Sequence, residues 1–345
     1  MPVWRYMELC LMHPLYGYYI SRDPLGREGD FTTAPEVSQM FGELLGLWAA
    51  SVWKQMGEPQ LRLIEIGPGR GTMMSDALRA LRILPSLHQS LSAHLVEVNP
   101  VLRTRQEAAL STSTVREITW HDNIDTVPNG PCIIFANEYF DVLPIHQMVK
   151  LETGWHERVV DVDGDDKLVF GTAAEPARGF DFLVPPLVRA APVGAVFEWR
   201  PDAEVIKLAM RLRDQGGAAL LIDYGHLRSD AGDTLQAIAR HSFADPLEAP
   251  GQTDLTAHVD FQALSRAAEA VGARVHGPVT QGLFLKRLGI ETRAAALTQK
   301  TTEEVTAGVM GELRRLTDTG RRGMGSMFKV LGISDPQLKS LAGLG

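Results

Sequence analysis

The strongest constraint on the fold is an alternation that begins at residue 61. Short apolar runs, "LRLIEI", "AHLVEV" and "CIIFAN", are separated by stretches with helical spacing, "SDALRALRIL" and "PVLRTRQEAAL". Apolar runs joined by helices form a parallel sheet with crossover helices. The expectation is an α/β fold whose ligands bind at the carboxyl ends of the strands. With 345 residues, 45% of them hydrophobic, the chain is long enough for this sheet and a second lobe.

The alternation is preceded, interrupted and followed by other patterns. Ahead of it, Val37, Met40, Phe41, Leu44, Leu45 and Trp48 recur at helical spacing and predict a helix near 35–55, after an aromatic, glycine-rich stretch read as loop. Between about 145 and 200, "ERVVDVDGDDKLVFGTA" sets two β-rich runs around an Asp-Gly turn, a hairpin signal. The α/β pattern resumes with a helix near 202–214, a stop at Gly216 and Gly217, and the run "AALLIDYG", a strand ending at Asp223. The polar stretch from Gly225 to about His258 reads as a lid or binding loop. Asp260 caps a helix stopped by Gly272, "ARVHGPV" and "GLFLKRL" read as a closing hairpin, and Thr301 with Glu304 forms a capping-box pair. The expected division is a cap segment over 1–56, a core over 57–144 and 201–288, an inserted β-rich substrate element over 145–200, and a helical extension over 289–345.

Charged residues make up 22% of the chain and the net charge is -8, so no basic field is available for nucleic acid or an anionic membrane. Small-molecule or protein substrates fit better. Cys10 and Cys132 lie far apart without CxxC spacing, and His121, His146 and His258 form no ligand pattern, so neither a disulfide framework nor a metal site is expected. The apolar helical stretch "LLGLWAASVW" is far short of the roughly 20 residues that cross a bilayer. The first residues lack a secretory signal, and the protein reads as soluble and intracellular.

The first strand breaks into "IGPGRGT". A dinucleotide fingerprint G-x-G-x-x-G, counted from Gly67 and Gly69, requires glycine where Thr72 stands. The third glycine is Gly71 instead, giving E-x-G-x-G-x-G from Glu65, a spacing that favours S-adenosylmethionine over a nicotinamide cofactor. A ligand-free strand-to-helix turn has the same letters. Glu97, ending the next strand, is placed to accept both ribose hydroxyls, although a solvated strand end is the plainer alternative. Glu65 serves the amino group of the donor's methionine end or braces the turn. Asp122 accepts from the adenine amino group or is ordinary loop chemistry beside Asn123.

At the end of the apolar run "CIIFAN", "FANEYFDVLPIHQ" places Asn137, Glu138 and Asp141 at the carboxyl edge, facing the expected methyl group, unless they form a solvated turn. Asp223 ends a neighbouring strand as a third carboxylate, with His226 read as a loop residue. Methyl transfer is an in-line displacement in which positioning and water exclusion do most of the work. Paired carboxylates matter if the acceptor is a guanidinium, which has a pKa above about 12 and must shed a proton. Tyr16, Tyr18 and Tyr19 line a cleft or pack as an aromatic cluster.

The stretches "HPLYGYY", "GDFTTAPEVSQMFGELLG", "EIGPGRGT", "NEYFDVLPIHQ", "LLIDYG", "PGQTDLTAHVDF" and "MGSMFKVL" together resemble the MidA-type family of class I methyltransferases, from about His13 to Val330. That family includes a mitochondrial assembly factor that methylates an arginine of a complex I subunit. The resemblance implies a class I, Rossmann-like sheet of seven strands with the last antiparallel, S-adenosylmethionine as donor, and a protein arginine as acceptor. It puts the donor on Gly67, Gly69, Gly71, Glu97 and Asp122, and the reacting end at Asn137 and Glu138. Gly29 to Glu36, including Asp30, Thr32, Thr33 and Glu36, would close over donor and acceptor. The family carries more helix before "YMELC", so a preceding segment is expected. Tyr139 and Val142 replace its commoner Phe and Ala. A bacterial member would be cytoplasmic and a eukaryotic one would lie in the mitochondrial matrix. The leading expectation is an arginine methyltransferase acting on an NADH dehydrogenase subunit or bacterial counterpart. The alternatives are a small-molecule methyltransferase and an assembly chaperone that holds S-adenosylmethionine structurally.

Overall fold

The computed structural model of the chain describes residues 1–21, 33–239, 242–320 and 323–345. The chain enters through α1 (Val3–Met12) and α2 (Tyr18–Ser21), then α3 (Ala34–Val37) and α4 (Gln39–Gln55). The helix expected near 35–55 is therefore two. Ser38 is extended between them, and its hydroxyl accepts the Met40 N–H at 3.2 Å, so a side-chain cap restarts the helix.

The alternation then runs β1 (Leu61–Ile66), α5 (Thr72–Leu81), α6 (Pro85–Ser90), β2 (Leu91–Val96), α7 (Pro100–Leu110), β3 (Glu117–His121) and β4 (Cys132–Asn137). Strands β5 (His146–Leu151), β6 (Gly154–Val162) and β7 (Leu168–Thr172), the short helix α8 (Pro186–Arg189) and β8 (Val196–Trp199) follow. These four strands form an antiparallel sheet in the order β7-β6-β5-β8, with the Asp-Gly turn between β6 and β7. Next come α9 (Ala203–Gln215), β9 (Gly217–His226), β10 (Gln236–Ala239), β11 (Ser242–Ala244), β12 (Asp254–Thr256), β13 (Val259–Asp260), α10 (Phe261–Ala270) and β14 (Arg274–Thr280). The chain closes with α11 (Gln281–Arg287), α12 (Ile290–Leu297), α13 (Glu303–Thr317), α14 (Met324–Met327) and β15 (Phe328–Ser334).

The main sheet has the order β14-β15-β9-β4-β1-β2-β3, with β13 paired to the end of β9 and β15 antiparallel to both neighbours. This is the α/β, Rossmann-like arrangement expected, and three expectations about it are corrected. "GLFLKRL" is helix α11: Phe284 and Leu285 are buried on one side, and Lys286 and Arg287 occupy the last turn, where cations suit the helix dipole. The strand that closes the sheet is β15, every residue of which is buried, so the stretch 289–345 is not purely helical. The cap of α13 is Thr302, whose hydroxyl accepts the Val305 N–H at 3.3 Å, so the pair Thr301 and Glu304 forms no box. The stretch read as a lid holds the three-stranded sheet β11-β10-β12, whose strands are too short to display a period.

Side-chain parity divides the core. Leu63, Ile133, Phe135, Leu220 and Ile222 face α4 and α5, whereas Ile64, Ile134, Ala136, Ala219 and Leu221 face α9 and α10. Burial on both faces accounts for the continuous apolar runs. Among the described residues no helix is long and apolar enough to cross a membrane.

The register sets the site. Ile66 lies beside Val96 and Ala136, and Val96 lies beside His121. The residues that follow, Gly67, Glu97, Asp122 and Asn137, therefore emerge in one row. Beyond β4, the chain is fastened by Arg200 at the end of β8. Its guanidinium donates to the carbonyls of Leu143 (3.1 Å), His258 (2.7 Å), Asp141 (3.0 Å) and Ala257 (2.6 Å). One half-buried side chain thus joins the loop after β4 to the segment before β13. Arg200→Ala leaves these carbonyls without their donor and is expected to lower unfolding stability by about 3 kcal/mol. Urea denaturation checks this, and an unchanged midpoint would contradict the assignment.

Candidate active site

The turn after β1 uses positive φ at Gly67 (64°), Gly69 (53°) and Gly71 (81°). Gly71 caps α5, and a Cβ there would sit 3.2 Å from the Gln106 Cα, so the third glycine permits α7 to approach the turn. Gln106 is fully buried and joins three parts of the site. Its amide donates to the Gly69 carbonyl at 2.7 Å and to Glu97 Oε2 at 3.1 Å, and its carbonyl accepts the Trp120 indole N–H at 2.8 Å. The sequence carried a signal for it: Gln106 interrupts an apolar stripe between Leu102 and Leu110 at four-residue spacing.

A cavity of about 290 Å³ opens over the row of strand ends. One half is lined by Val96, Val98, Leu102, Glu97 and Asp122. Glu97 is 8% exposed; its Oε1 accepts the Asn99 N–H at 2.8 Å, and burial raises its pKa. Arg103 donates to the Glu97 carbonyl and pairs with Asp122 at 2.6 Å. The Asp122 side chain is 78% exposed, at the rim. Beneath the turn, Glu65 is buried, takes the Met74 N–H from the first turn of α5, and is pushed up to about 8 by burial. Its Oε2 has no hydrogen-bond partner among the described residues.

The other half is acidic. Glu138, at the end of β4, adopts φ 51°, a left-handed conformation that is uncommon outside glycine. Its N–H bonds the Ile222 carbonyl at 2.9 Å, and its Oε1 accepts from the Asn137 amide at 3.1 Å and weakly from the Ala34 N–H at 3.4 Å. Burial and then the charge of Asp141 push Glu138 up to about 7. Asp141 is buried and raised by burial, with Tyr224 hydrogen-bonded to it and Arg200 opposing the rise. Asn137 Oδ1 and Asp141 Oδ1 are buried without hydrogen-bond partners among the described residues. Asp223 does not line the cavity. Its Oδ2 lies behind, accepting the N–H groups of Phe140 (3.0 Å) and Asp141 (3.1 Å), so it shapes the loop that carries the other two acids.

The structure brings Glu65, Gly67, Gly69, Glu97, Asp122, Asn137, Glu138, Asp141, Thr33 and Glu36 to one cavity, while Gly71 and Asp223 stand behind its wall. Asp30 and Thr32 lie outside the described residues. Glu36 accepts from the Thr72 hydroxyl, joining α3 to the glycine turn. The three tyrosines divide: Tyr18 is buried in the N-terminal apolar cluster, Tyr16 is exposed, and Tyr19 lines the cavity. Tyr19, one of the tyrosines read as lining a cleft or packing as a cluster, lines the cavity, whereas Tyr224 and Asp254, also in its lining, were not singled out as site residues in sequence.

The cavity fits S-adenosylmethionine: a glycine turn permits close approach, an anchored carboxylate suits a diol, an apolar wall suits a purine, and a buried carboxyl oxygen lacks a partner. Fold and site together define a class I methyltransferase. A family model for S-adenosyl-L-methionine-dependent methyltransferases matches residues 44–279. The mitochondrial protein arginine methyltransferase NDUFAF7 of Xenopus laevis is 39% identical over 327 residues, 87% of this chain and 74% of that protein. The Homo sapiens protein of the same name is 39% identical over 329 residues, 87% of this chain and 73% of its own. A crystal structure from Burkholderia thailandensis, bound to S-adenosyl-homocysteine, is similar with a TM-score of 0.85 at 28% identity, covering 100% of this chain and 90% of that one. The chain belongs to this family of methyltransferases, and S-adenosylmethionine is its methyl donor.

Gln106→Leu removes a donor from Glu97 and from the Gly69 carbonyl together. The expected result is S-adenosylhomocysteine affinity lower by about tenfold, one charge-assisted hydrogen bond's worth. Calorimetric titration measures it, and an unchanged affinity would remove Gln106 from the site.

Proposed function

We propose that the chain transfers the methyl group to a guanidinium nitrogen of an arginine in a protein. The observation that carries the acceptor class is charge: Glu138, Asp141 and Asp254 line one half of the cavity, and Arg70 is the one basic residue among its described lining residues. A guanidinium presents N–H donors in a planar fork, which carboxylates on its edges hold in orientation. The names of the relatives as protein arginine methyltransferases support the same acceptor. The acceptor protein is proposed to be a subunit of a respiratory NADH dehydrogenase or its bacterial counterpart, a step resting on family resemblance. The corresponding location is the mitochondrial matrix in a eukaryote and the cytoplasm in a bacterium.

When bound, S-adenosylmethionine would supply an electrophilic sulfonium methyl whose C–S bond breaks in line with the attacking nitrogen, leaving S-adenosylhomocysteine. On the donor side, Glu97 is assigned to the ribose hydroxyls, Asp122 to the adenine amino group and Glu65 to the ammonium of the methionine end, with Gly67 and Gly69 giving close backbone approach. Asn137 holds Glu138 in position, and Glu138 and Asp141 orient the guanidinium. As the new N–C bond forms, the nitrogen loses one proton, which Glu138 accepts. Asp223 and Arg200 act behind them, fixing the loop rather than touching the acceptor.

Incubation of the protein with labelled donor and an extract of its source, followed by mass spectrometry, is expected to place the label on arginine. Label confined to small molecules would overturn the proposal. Glu138→Gln is expected to lower methyl transfer by about 100-fold, within the range for a general base, with S-adenosylhomocysteine binding retained. If partner maturation survived complete loss of methylation, the chaperone reading would replace this one.

The pH profile carries a separate prediction. Glu138, raised to about 7, is protonated below that value and ionised above it, so kcat/KM rises as pH increases through 7. A bound guanidinium favours the carboxylate, so the rise in kcat falls at lower pH. Initial rates from pH 5.5 to 8.5 test this, and a kcat/KM flat through 7 would contradict it.

A further inference from the structure

In the inserted element, between β7 and α8, Phe182 and Leu183 stand side by side at 84% and 80% exposure. Gly179, with φ 79°, opens a single 3-10 turn over Phe180–Phe182. Phe180 turns inward, where its ring lies 6.1 Å from Trp155 and 6.3 Å from Phe197 between centroids. Three residues complete such a turn, so anchoring Phe180 sends Phe182 outward. Large apolar side chains exposed together mark an interaction site.

Leu183 also borders a second cavity, of about 220 Å³, where the insert meets the main fold. Phe180, Val184 and Phe197 line it from the insert, and Val259, Ala263 and Leu264 line it from β13 and α10. This cavity adjoins the catalytic one through a thin wall. His258, in its lining, packs edge-on against Tyr224 with ring centroids 5.6 Å apart, and Tyr224 lines the catalytic cavity. Arg200, also in its lining, donates to the carbonyls of Leu143 and Asp141, both of which line the catalytic cavity. Charge selects the occupant. A second copy of this chain would bring another net charge of -8 to the face, whereas a segment presenting arginine brings positive charge. Asp202 and Asp260 in the lining favour that segment, and Arg266 beside them offsets only part of their charge.

We infer that this face of the insert docks the acceptor protein, seating a large apolar side chain from the chain around its arginine in the second cavity, against Leu183 and Phe182. A buried apolar anchor in a pocket is the usual source of binding energy at such a surface. The inference rests on the protein-arginine reading given above, and it adds where the polypeptide around the arginine is held. Recognition then lies in the insert and chemistry in the catalytic cavity.

The test measures the rate at which labelled methyl enters protein arginine as the concentration of a protein extract of the source is raised, at saturating donor. Leu183→Ser is expected to raise the half-saturating extract concentration at least about tenfold, the worth of one buried leucine side chain, with the maximal rate and S-adenosylhomocysteine affinity retained. Equal half-saturation for wild type and Leu183→Ser overturns the inference while leaving the arginine reading in place. No label on arginine with wild type overturns both. Light scattering covers the other occupant: a wild-type dimer that Leu183→Ser converts to monomer, with half-saturation unchanged, gives the face to a second copy and overturns the inference. If Leu183→Ser fails to hold S-adenosylhomocysteine, Ala263→Phe, which fills the cavity from α10, carries the test. A raised half-saturation with the nucleoside retained supports docking, and an unchanged one overturns it.

Discussion

Parallel pairing that brings four strands to an end at one level is the constraint on which the rest depends. With Ile66, Val96, His121 and Ala136 side by side, the next residue along each chain stands at the same height. The ladder continues one step further, with the Gly67 N–H on the Val96 carbonyl and the Glu97 N–H on the His121 carbonyl. A one-residue slip in any strand would exchange its two faces and disperse the row. Burial on both faces by separate helical layers excludes that slip, so the core fixes the site.

The second device is hidden beneath the row. Asp223 ties down two consecutive N–H groups of the loop after β4, and Arg200 ties that loop's carbonyls to the segment before β13. Fastened from both sides, the loop holds Glu138 in a left-handed backbone conformation of the kind that persists where surroundings over-determine it. The same burial raises Glu65, Glu138, Asp141 and Asp223 above ordinary carboxyl values. Such a set of acids is poised to become anionic when positive charge enters, which suits a sulfonium donor and a cationic acceptor.

The parallel core was legible because its strands are long apolar runs bounded by helices, and the glycine turn because three glycines and Glu65 are contiguous. Glu97, Asn137, Glu138 and Asp141 were legible because each ends or follows a readable strand, whereas Asp122 was placed only by its loop chemistry ahead of the run at 132, the strand β3 before it being unread. The strand β15 was missed because "SMFKVLGI" lies far from any strand it pairs with, and α11 because a seven-residue helix shows barely two turns of period. Gln106 left a trace as a polar residue on an apolar stripe. Tyr19 was legible as one of three tyrosines that line a cleft or pack together, whereas Tyr224 and Asp254 left no trace that composition or spacing reveals, since packing brings them to the cavity. Asp223 was read as ending its strand, but β9 runs on to His226, where it pairs with β13, and only the backbone partners of Asp223 distinguish a loop brace from a wall of the cavity.

The central claim is that the acidic half of the cavity is a receptor for guanidinium. A crystal structure of the protein with S-adenosylhomocysteine and an arginine peptide from its own methylated target tests this most directly. The account predicts the guanidinium in the cavity with its nitrogens on Glu138 and Asp141 and one nitrogen facing the sulfur. An arginine held elsewhere, with another group facing the sulfur, would contradict it.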